Sequence, residues 1–454
     1  MSDMLSIGAS GVRAYQTALA TVGENIANVG TVGYARRAVT LNEVAGGSGS
    51  VNGYGAGNGV YLSGVNRSTD VYSATALRAT TSDLTRTTKG AEWLDRIQNA
   101  LTGNQLTTRV TSFFGSAQAL AAEPDSTALR TGMLSAASSA ALAFRTTGQA
   151  FDQVDADLQT AGTQAAQTLT SLGNSLTKVN EGLSRSQPGS TAAAQLMDQR
   201  DTILSQMSEL VDVDVKMDPI GRATVKLGGA EGPAFVQGAM TGTVSYTRNE
   251  NGTAAFAVTM RNTTTEITPN GGTLAGIADG AQRVSAIRQS LNAVAESFVA
   301  AVNDNQRAGA DQKGAAGINL FVAGDSATDI TISDKFTDGS KIAAATGASG
   351  TKPAGGVRDA SNLAALEATR NSLRFEASLT TLVTDNATAY KQKNTIADAQ
   401  AAIRDGAATA LSASTGVNLD SEAVDLIRFQ QAYAASSRVI QIARETMQSI
   451  LDIR

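Results

Sequence analysis

Apolar residues at Leu5, Val12, Tyr15, Leu19, Val22 and Ile26, with Gly8 in register, follow one another in steps of 3, 4, 3, 4, 3, 4. A second series with the same step lies at the other end of the chain: Leu426, Phe429, Tyr433, Ser436, Ile440, Ala443, Met447 and Ile450. Strict alternation of 3 and 4 places each series on one seam of an α-helix. The second helix is predicted to start at Asp420 as N-cap, with Leu419 and Val424 at the positions of a hydrophobic staple. A helix that runs to the end of the chain with its apolar seam intact calls for a partner helix. The two seams therefore predict that the first and last helices pair as a coiled coil. Two amphipathic helices packed separately on a common core are the alternative; the 3.5-residue step favours the pair. Leu5, Val12, Tyr15, Leu19, Val22, Ile26, Leu426, Phe429, Tyr433, Ile440, Met447 and Ile450 are accordingly the candidate self-assembly interface.

Between these ends the pattern predicts long helices. The first spans 5–29 and is stopped by Asn28 and Gly30. Short strands follow at 38–41 and 60–65, separated by a Gly-rich stretch at 45–59. That stretch lacks the spacing of a phosphate-binding loop and reads as a flexible extended segment. Helices resume near Ser68. Trp93, Leu94, Ile97 and Leu101 form a stripe that Leu106, Val110, Phe113 and Leu120 continue, up to a break at Pro124. A very long helix then carries Phe151, Val154, Leu158, Ala161, Ala165, Leu169, Leu172, Leu176, Val179 and Leu183. It has a stutter between Ala161 and Leu169 and ends at Pro188-Gly189. A further helix carries Leu196, Ile203, Leu204, Met207 and Leu210.

At Val211 the period changes from helical to two. Val211, Val213, Val215 and Met217 alternate with Asp212, Asp214, Lys216 and Asp218, and Ala223, Val225 and Leu227 resume the alternation after a turn at Pro219-Ile220-Gly221. This is a hairpin. More strand–turn pairs surround Asn249-Glu250-Asn251-Gly252, and Gly271-Gly272 closes the insertion. Ile277, Ala281, Val284, Ile287, Leu291, Val294, Phe298 and Val302 restore the helical stripe. A loop at 305–317 and a polar stretch at 325–353, with one strand at 329–332, precede a helix that runs from Asn362 through Tyr390 and Ile403 toward Leu411. The order is nearly palindromic. It predicts a mainly α, elongated rod: an inner terminal-helix domain (1–66 with 412–454), a middle long-helix domain (67–210 with 271–411) and an outer β-rich domain (211–270) at the far tip.

Composition narrows the chemistry. The 454 residues contain no Cys and no His, which removes Cys–His and Ser–His nucleophiles, disulfides and the usual zinc ligands. No cofactor or metal is expected. Net charge is −5 and no block of Lys and Arg interleaves with aromatics, so nucleic acid is not expected as a partner. No run of 18 apolar residues predicts a membrane span, which also argues against a receptor rod. The first residues, Met1-Ser2-Asp3-Met4-Leu5, lack a cationic and apolar leader, so the expectation is a cytoplasmic chain or export without a cleaved signal. For an enzyme, Asp198, Asp201, Asp212 and Asp214 are the only acids to nominate. Asp198 and Asp201 share a helix face, where Arg200 suggests ion pairing instead. Asp212 and Asp214 share a strand face, where a cation site and a solvated face are the two readings. With no His base and no catalytic cluster, no enzyme is expected.

Several motifs carry a resemblance. Asn25-Ile26-Ala27-Asn28 is followed by Thr31-Val32-Gly33-Tyr34-Ala35-Arg36, then Asn58-Gly59-Val60-Tyr61 with Ser63-Gly64-Val65 and Arg67. Leu196-Met197-Asp198-Gln199-Arg200-Asp201 comes next, then Phe298 to Asn303 with Gln306, Gly309 and Asp311. Last are Gly416-Val417-Asn418-Leu419-Asp420 and Arg428-Phe429-Gln430-Gln431-Ala432-Tyr433. In this order they resemble the hook-associated protein 1 family, the hook–filament junction proteins among flagellar axial proteins. Val32 and Ala35 depart from that pattern, where Pro and often Ser stand. The region between Phe321 and Asn362 is shorter than in larger members, so an additional outer domain is expected to be absent. The resemblance implies a secreted structural adaptor stacked around an axial channel. Its partners would be copies of itself, the hook protein, and a second junction protein or the filament side. It further implies export unfolded through the flagellar type III apparatus, with a dedicated chaperone on the C-terminal helix. Another axial subunit of hook or rod is the alternative.

Overall fold

The computed structural model describes residues 2–44, 59–347, 353 and 355–452; the Gly-rich stretch read at 45–59 lies almost wholly outside them. Helix α1 (Ser2–Ala27) leads into an antiparallel hairpin of β1 (Arg37–Glu43) and β2 (Val60–Arg67). Then come α2 (Val71–Thr102), α3 (Leu106–Ala122), α4 (Thr127–Arg185) and α5 (Thr191–Leu210). Side-chain caps begin three of these helices. The Asp70 carboxylate accepts from Ser73 N, Ser126 Oγ from Leu129 N and Ser190 Oγ from Ala193 N. At 59 residues α4 is about 90 Å long.

The insertion builds two sheets. β3 (Val213–Met217), β4 (Ala223–Leu227), β5 (Ala234–Gln237) and β6 (Met240–Thr241) lie side by side in that order. β7 (Thr243–Arg248), β8 (Ala254–Met260) and β9 (Thr263–Ile267) form the second sheet. Helix α6 (Gly272–Ala308) follows, then the short strands β10 (Gly309–Ala310), β11 (Phe321–Ala323), β12 (Ile330–Ile332) and β13 (Ala345–Thr346). The chain returns through α7 (Ser361–Leu373), α8 (Phe375–Thr415) and α9 (Leu419–Leu451). Helix α8 runs antiparallel to α2: Asn386 donates to Leu94 O at 2.9 Å, and Lys393 lies against Gly90.

The predicted α4 stripe is the core. Phe151, Leu158, Leu169 and Leu176 are fully buried and belong to one continuous cluster with α2, α3, α5, α6 and both sheets. At the end away from α1, the Phe298 ring lies 5.3 to 6.0 Å from those of Phe113, Phe114, Phe144, Phe321 and Phe375. These edge and tilted contacts are the preferred geometry of aromatic clusters.

Four expectations are corrected. The stripe from Trp93 to Leu120 belongs to two helices, because Gln105 turns left-handed (φ 53°) between α2 and α3. The helix expected from Asn362 onward is likewise broken at Arg374 (φ 53°), which swings Phe375 into the aromatic cluster, stacked 5.9 Å from Phe114. The N-cap of α9 is Asn418, whose side chain accepts from Asp420 N and Ser421 N; Leu419 and Val424 are exposed and form no staple. Residues 305–308 are helical and complete α6.

The β insertion is outer but is not the tip. Thr170 Oγ1 accepts from Val244 N at 3.0 Å, and Thr241 donates to Gly173 O at 3.0 Å. The Asn180 side chain bonds both the N–H and the carbonyl of Ala223 at 2.9 Å. Gly162 and Gly173 leave room for the rings of Tyr246 and Phe235. The sheets therefore cover the flank of α4 on its C-terminal half. The end remote from α1 is made by 309–346, where the buried Arg130 guanidinium donates to the carbonyls of Pro124 and Ile342 at 2.8 and 2.7 Å. The palindrome misplaced the insertion because strand period identifies an element and not the surface it covers.

Phe235 is fully buried in the cluster it shares with α4. Phe235→Ala is therefore expected to cost about 3–5 kcal/mol of the whole chain's stability. Denaturant unfolding should show α4 and the sheets lost in one transition. Separate transitions would mark the insertion as an independent unit.

Candidate assembly interface

Helices α1 and α9 lie antiparallel as a closed hairpin. Gly8 faces Ile440, Gly11 faces Ser436, the Tyr15 and Phe429 rings stand 6.4 Å apart, and Asn25 reaches Glu422. A Cβ on Gly8 would lie 2.7 Å from Ile440 Cγ1, and one on Gly11 would lie 2.6 Å from Ser436 Oγ. The helices approach this closely because α1 presents its smallest residues: Gly8, Gly11, Ala14 and Ala18 are all buried.

Of the residues predicted as interface, Val22 and Phe429 are buried, with Ala18, at the centre of a small core that Tyr15, Leu19, Ile26 and Leu426 surround. Val12 and Ile440 are half-buried in the hairpin. Leu5, Tyr433, Met447 and Ile450 are exposed. The seam is thus divided between contacts inside the chain and open surface. Sequence reading placed Gly8 in register with the seam and passed over Gly11, Ala14 and Ala18. The signal that identifies them is small residues at helical spacing. It also passed over a second apolar face on α9, where Val424, Ile427 and Ile442 are exposed, opposite the face that meets α1.

A polar lattice anchors this hairpin to the helical body. Asn25 is fully buried and makes every hydrogen bond its amide allows. Its Nδ2 donates to Arg37 O at 2.8 Å and Glu422 Oε2 at 3.0 Å, and its Oδ1 accepts from Arg37 N at 3.0 Å and Tyr34 Oη at 2.8 Å. Glu422, also fully buried, receives Arg36 Nε at 2.6 Å, while Arg36 also reaches Asp425 at 3.2 Å. Arg37 lies 4.8 Å from the Tyr34 ring and pairs with Glu24 at 3.1 Å and Asp198 at 2.8 Å. Burial pushes the Tyr34 phenol above its ordinary pKa, against the pull of Arg37. Arg67 bridges Asp198 at 2.6 Å and Asp201 at 2.8 Å, and Arg200 pairs with Asp201 at 2.7 Å and donates to Gly221 O at 2.5 Å. Two backbone contacts complete the joint: Val65 N donates to Gly189 O at 2.7 Å, and Gly33 lies against Thr202.

The acids nominated for catalysis are occupied in other ways. Asp198 and Asp201 belong to the lattice. Asp212 accepts from Asn270 N at 3.0 Å, and burial pushes its carboxyl above the usual range. Asp214 stands opposite Lys226 on the neighbouring strand. No group of three or more Asp or Glu among the described residues is arranged to hold a metal ion. No helix among them is long and apolar enough to cross a membrane. A groove of about 830 Å³ opens beside the lattice, lined by Leu172, Val179 and Ile203 together with Tyr34, Arg37 and Asp198.

Fold and site together define a class: a helical rod whose first and last helices pair and are pinned to the body by buried ion pairs. Residues 91–321 match the family model for the flagellar hook-associated protein FlgK helical domain, and the chain belongs to that family. Residues 410–453 match the C-terminal model of the flagellar basal body rod FlgEFG proteins. Flagellar hook-associated protein 1 of Escherichia coli is 27% identical over 374 residues, covering 76% of this chain and 66% of that protein. Its counterpart in Salmonella typhimurium is 28% identical over 346 residues, covering 71% and 60%. The match thus spans less than two thirds of either relative. The flagellar hook junction protein FlgK from Burkholderia pseudomallei has the same fold: TM-score 0.64 at 14% identity, covering 74% of this chain and 99% of that one.

Two outcomes are expected. Gly8→Val forces α1 away from Ile440 and the Ser436 carbonyl, so amide exchange across α1 should quicken. At Gly23, where nothing stands within 4 Å of a new Cβ, Ala should slow exchange and add about 0.8–1 kcal/mol. Equal effects at the two positions would remove the close-approach argument. Asp198→Ala strips Arg37 and Arg67 of a shared partner and should cost about 3–5 kcal/mol in denaturant unfolding.

Proposed function

We propose that the chain is a non-enzymatic structural adaptor of the bacterial flagellum, joining hook to filament and self-assembling through its terminal helices after type III export. The observation that carries this reading is the two-sided α9 on a chain of the hook-associated family. One face closes on α1. The other is apolar and open, with Val424, Ile427 and Ile442 at 66%, 55% and 53% exposure. A helix apolar on two faces has a second surface to bury. A neighbouring copy, repeated by one operation around an axis, supplies that cover.

On this reading the residues for neighbours are Val424, Ile427 and Ile442 together with the exposed part of the seam, Leu5, Tyr433, Met447 and Ile450. The remaining seam residues serve the hairpin on which those stand. The hook protein on one side and a second junction protein or the filament on the other are the further partners. An export chaperone covers the apolar faces of α9 before secretion, and the working location is outside the cell at the hook–filament junction. The division into an inner unit (1–66 with 412–454), a middle unit (67–210 with 271–411) and an outer β-rich unit (211–270) belongs to the same reading. A second reading, another axial subunit of hook or rod, is favoured by the rod-protein match over residues 410–453.

The test separates hairpin from assembly. Ile440 meets Gly8 inside the chain, so Ile440→Asp should disturb both hairpin and incorporation. Ile427→Asp and Ile442→Asp should leave amide protection of α1 and α9 unchanged in the monomer, because their side chains are open there. In the assembly each would bury an unpaired carboxylate, at a cost of several kcal/mol. Protein shed into the medium, compared with protein retained on isolated flagella, is the readout. Gln441→Asp, about 100° around the helix from Ile442, should incorporate normally. Normal junctions built from Ile442→Asp protein would show that this face is not the assembly surface. Hooks as the only labelled structure under immuno-electron microscopy would favour the second reading.

A further inference from the structure

The neck of the β insertion holds a polar cluster apart from the terminal hairpin. Asp212 directly precedes β3, and Asn270-Gly271 leads into α6. Asp212 Oδ1 accepts from Asn270 N at 3.0 Å. The Asp212 side chain also stands beside Gly271, where a Cβ would lie 3.5 Å from its own Cβ. Arg86 on α2, held by both oxygens of Asp279 at 3.1 Å, donates its NH1 to the Asn270 carbonyl at 2.9 Å. Ser82, one turn earlier on α2, is buried with its hydroxyl unpartnered. It lies so close to Gly271 that any Cβ there would run into its Oγ. A side chain at 271 would have to displace the Ser82 hydroxyl, while Asn270 is exposed to water.

We propose that Asn270 is a self-modification site, at which the Gly271 nitrogen attacks the Asn270 side-chain carbonyl and the residue passes through a cyclic succinimide to aspartate or isoaspartate. A bond forms between Gly271 N and Asn270 Cγ as the Gly271 N–H proton moves to the Asp212 carboxylate. That proton then passes to the departing amide nitrogen, which leaves as ammonia with the electrons of the broken C–N bond. Water adds to one of the two ring carbonyls and opens the ring. One water enters and one ammonia leaves, with no oxidation or reduction.

Each neighbour has a role in the step. Glycine offers a nucleophilic nitrogen with no side chain to hinder ring closure. Arg86, bound to the peptide carbonyl, draws electron density from the 270–271 amide and makes its N–H more acidic. Asp212, hydrogen-bonded to Asn270 N and with its Cβ 3.5 Å from the Cβ position of Gly271, stands beside the proton to be moved, as a general base must. Its burial makes it a stronger base than a solvated carboxylate. The product places a second carboxylate beside Asp212, and like charges at that distance oppose each other across the neck.

The chain contains its own control. Asn251-Gly252, in the turn between β7 and β8, is the same dipeptide and is also exposed at the Asn. There the Gly252 N–H is committed to Asn249 O at 2.8 Å, and Asn251 Oδ1 accepts from Thr253 N at 3.1 Å and Thr253 Oγ1 at 2.7 Å.

The experiment ages the purified full-length folded chain at neutral pH. Peptide mass spectrometry then follows amide-to-acid conversion and isoaspartate at Asn270 and Asn251. Conversion at Asn270 is expected on the order of a hundredfold faster than at Asn251, the lower end of what a positioned base supplies. In the chain unfolded by guanidinium the two sites should convert at similar rates, and folded Asp212→Asn should bring Asn270 down to the Asn251 rate. If that variant does not fold, the folded-against-unfolded comparison of the unaltered chain decides alone. Asn270 converting no faster than Asn251 in the folded chain, or at an undiminished rate in folded Asp212→Asn, overturns the proposal.

Discussion

Everything in this molecule depends on one closure, the contact between Asn25 and Glu422 across 397 positions of sequence. Both side chains are fully buried, and a buried carboxylate without partners is among the most costly features a fold can contain. Glu422 is tolerated because Arg36 and Asn25 meet it, and Asn25 is fixed by the backbone of Arg37 on the adjoining strand. The entropy of so long a closure is not the obstacle. Each doubling of loop length adds only about 0.6 kcal/mol. What the closure requires is that the intervening residues form a body able to return the chain to its starting point, and α2 with α8, antiparallel along their length, provides the return.

This explains how much was legible. The α4 stripe was readable residue by residue, because one long helix against a continuous core imposes its period on the sequence. The change at Val211 was readable because strands have a different period. The breaks at Gln105 and Arg374 were not. Both are left-handed residues that are not glycine, held by the packing that follows them and unmarked in local chemistry. The start of α9 was misplaced by two residues because Asn418 and Asp420 are both good caps, and only the structure selects between them. The location of the insertion was hidden for a different reason. Its contacts on α4 are hydrogen bonds at Thr170 and Asn180 and the absent side chains of Gly162 and Gly173, and an apolar pattern registers neither.

The candidate site was half legible for the same reason. Large apolar residues identified the two helices and their pairing; the antiparallel orientation comes from the structure. The close approach is made by Gly8 and Gly11, beside a small core of Ala18, Val22 and Phe429, so the heptad seam predicted the partner correctly and its contact residues only in part. The Asp198-Gln199-Arg200-Asp201 motif was visible as a string, and Arg200 suggested ion pairing. Its use as the dock for Arg37 and Arg67 could not be seen, since those arginines come from elements more than 130 positions away.

The division of labour on α9 follows from these facts. Helix α1 meets α9 through Gly8, Gly11 and Ala18 and so sits close to Leu426, Phe429 and Ile440 on the inward face of α9. A second set of aliphatic residues on α9, Val424, Ile427 and Ile442, points in another direction. Had α1 offered leucines instead of Gly8 and Gly11, the hairpin axes would stand farther apart and Ile440 would lose its seat. The lattice at Asn25, which tolerates little displacement because Glu422 has no water to fall back on, would then be strained from the other end. Close packing at one end of the hairpin and exact hydrogen bonding at the other are therefore one requirement. Under the assembly reading, the same requirement holds the outward face of α9 at a fixed angle to the body, and a repeating contact between copies needs that fixed angle.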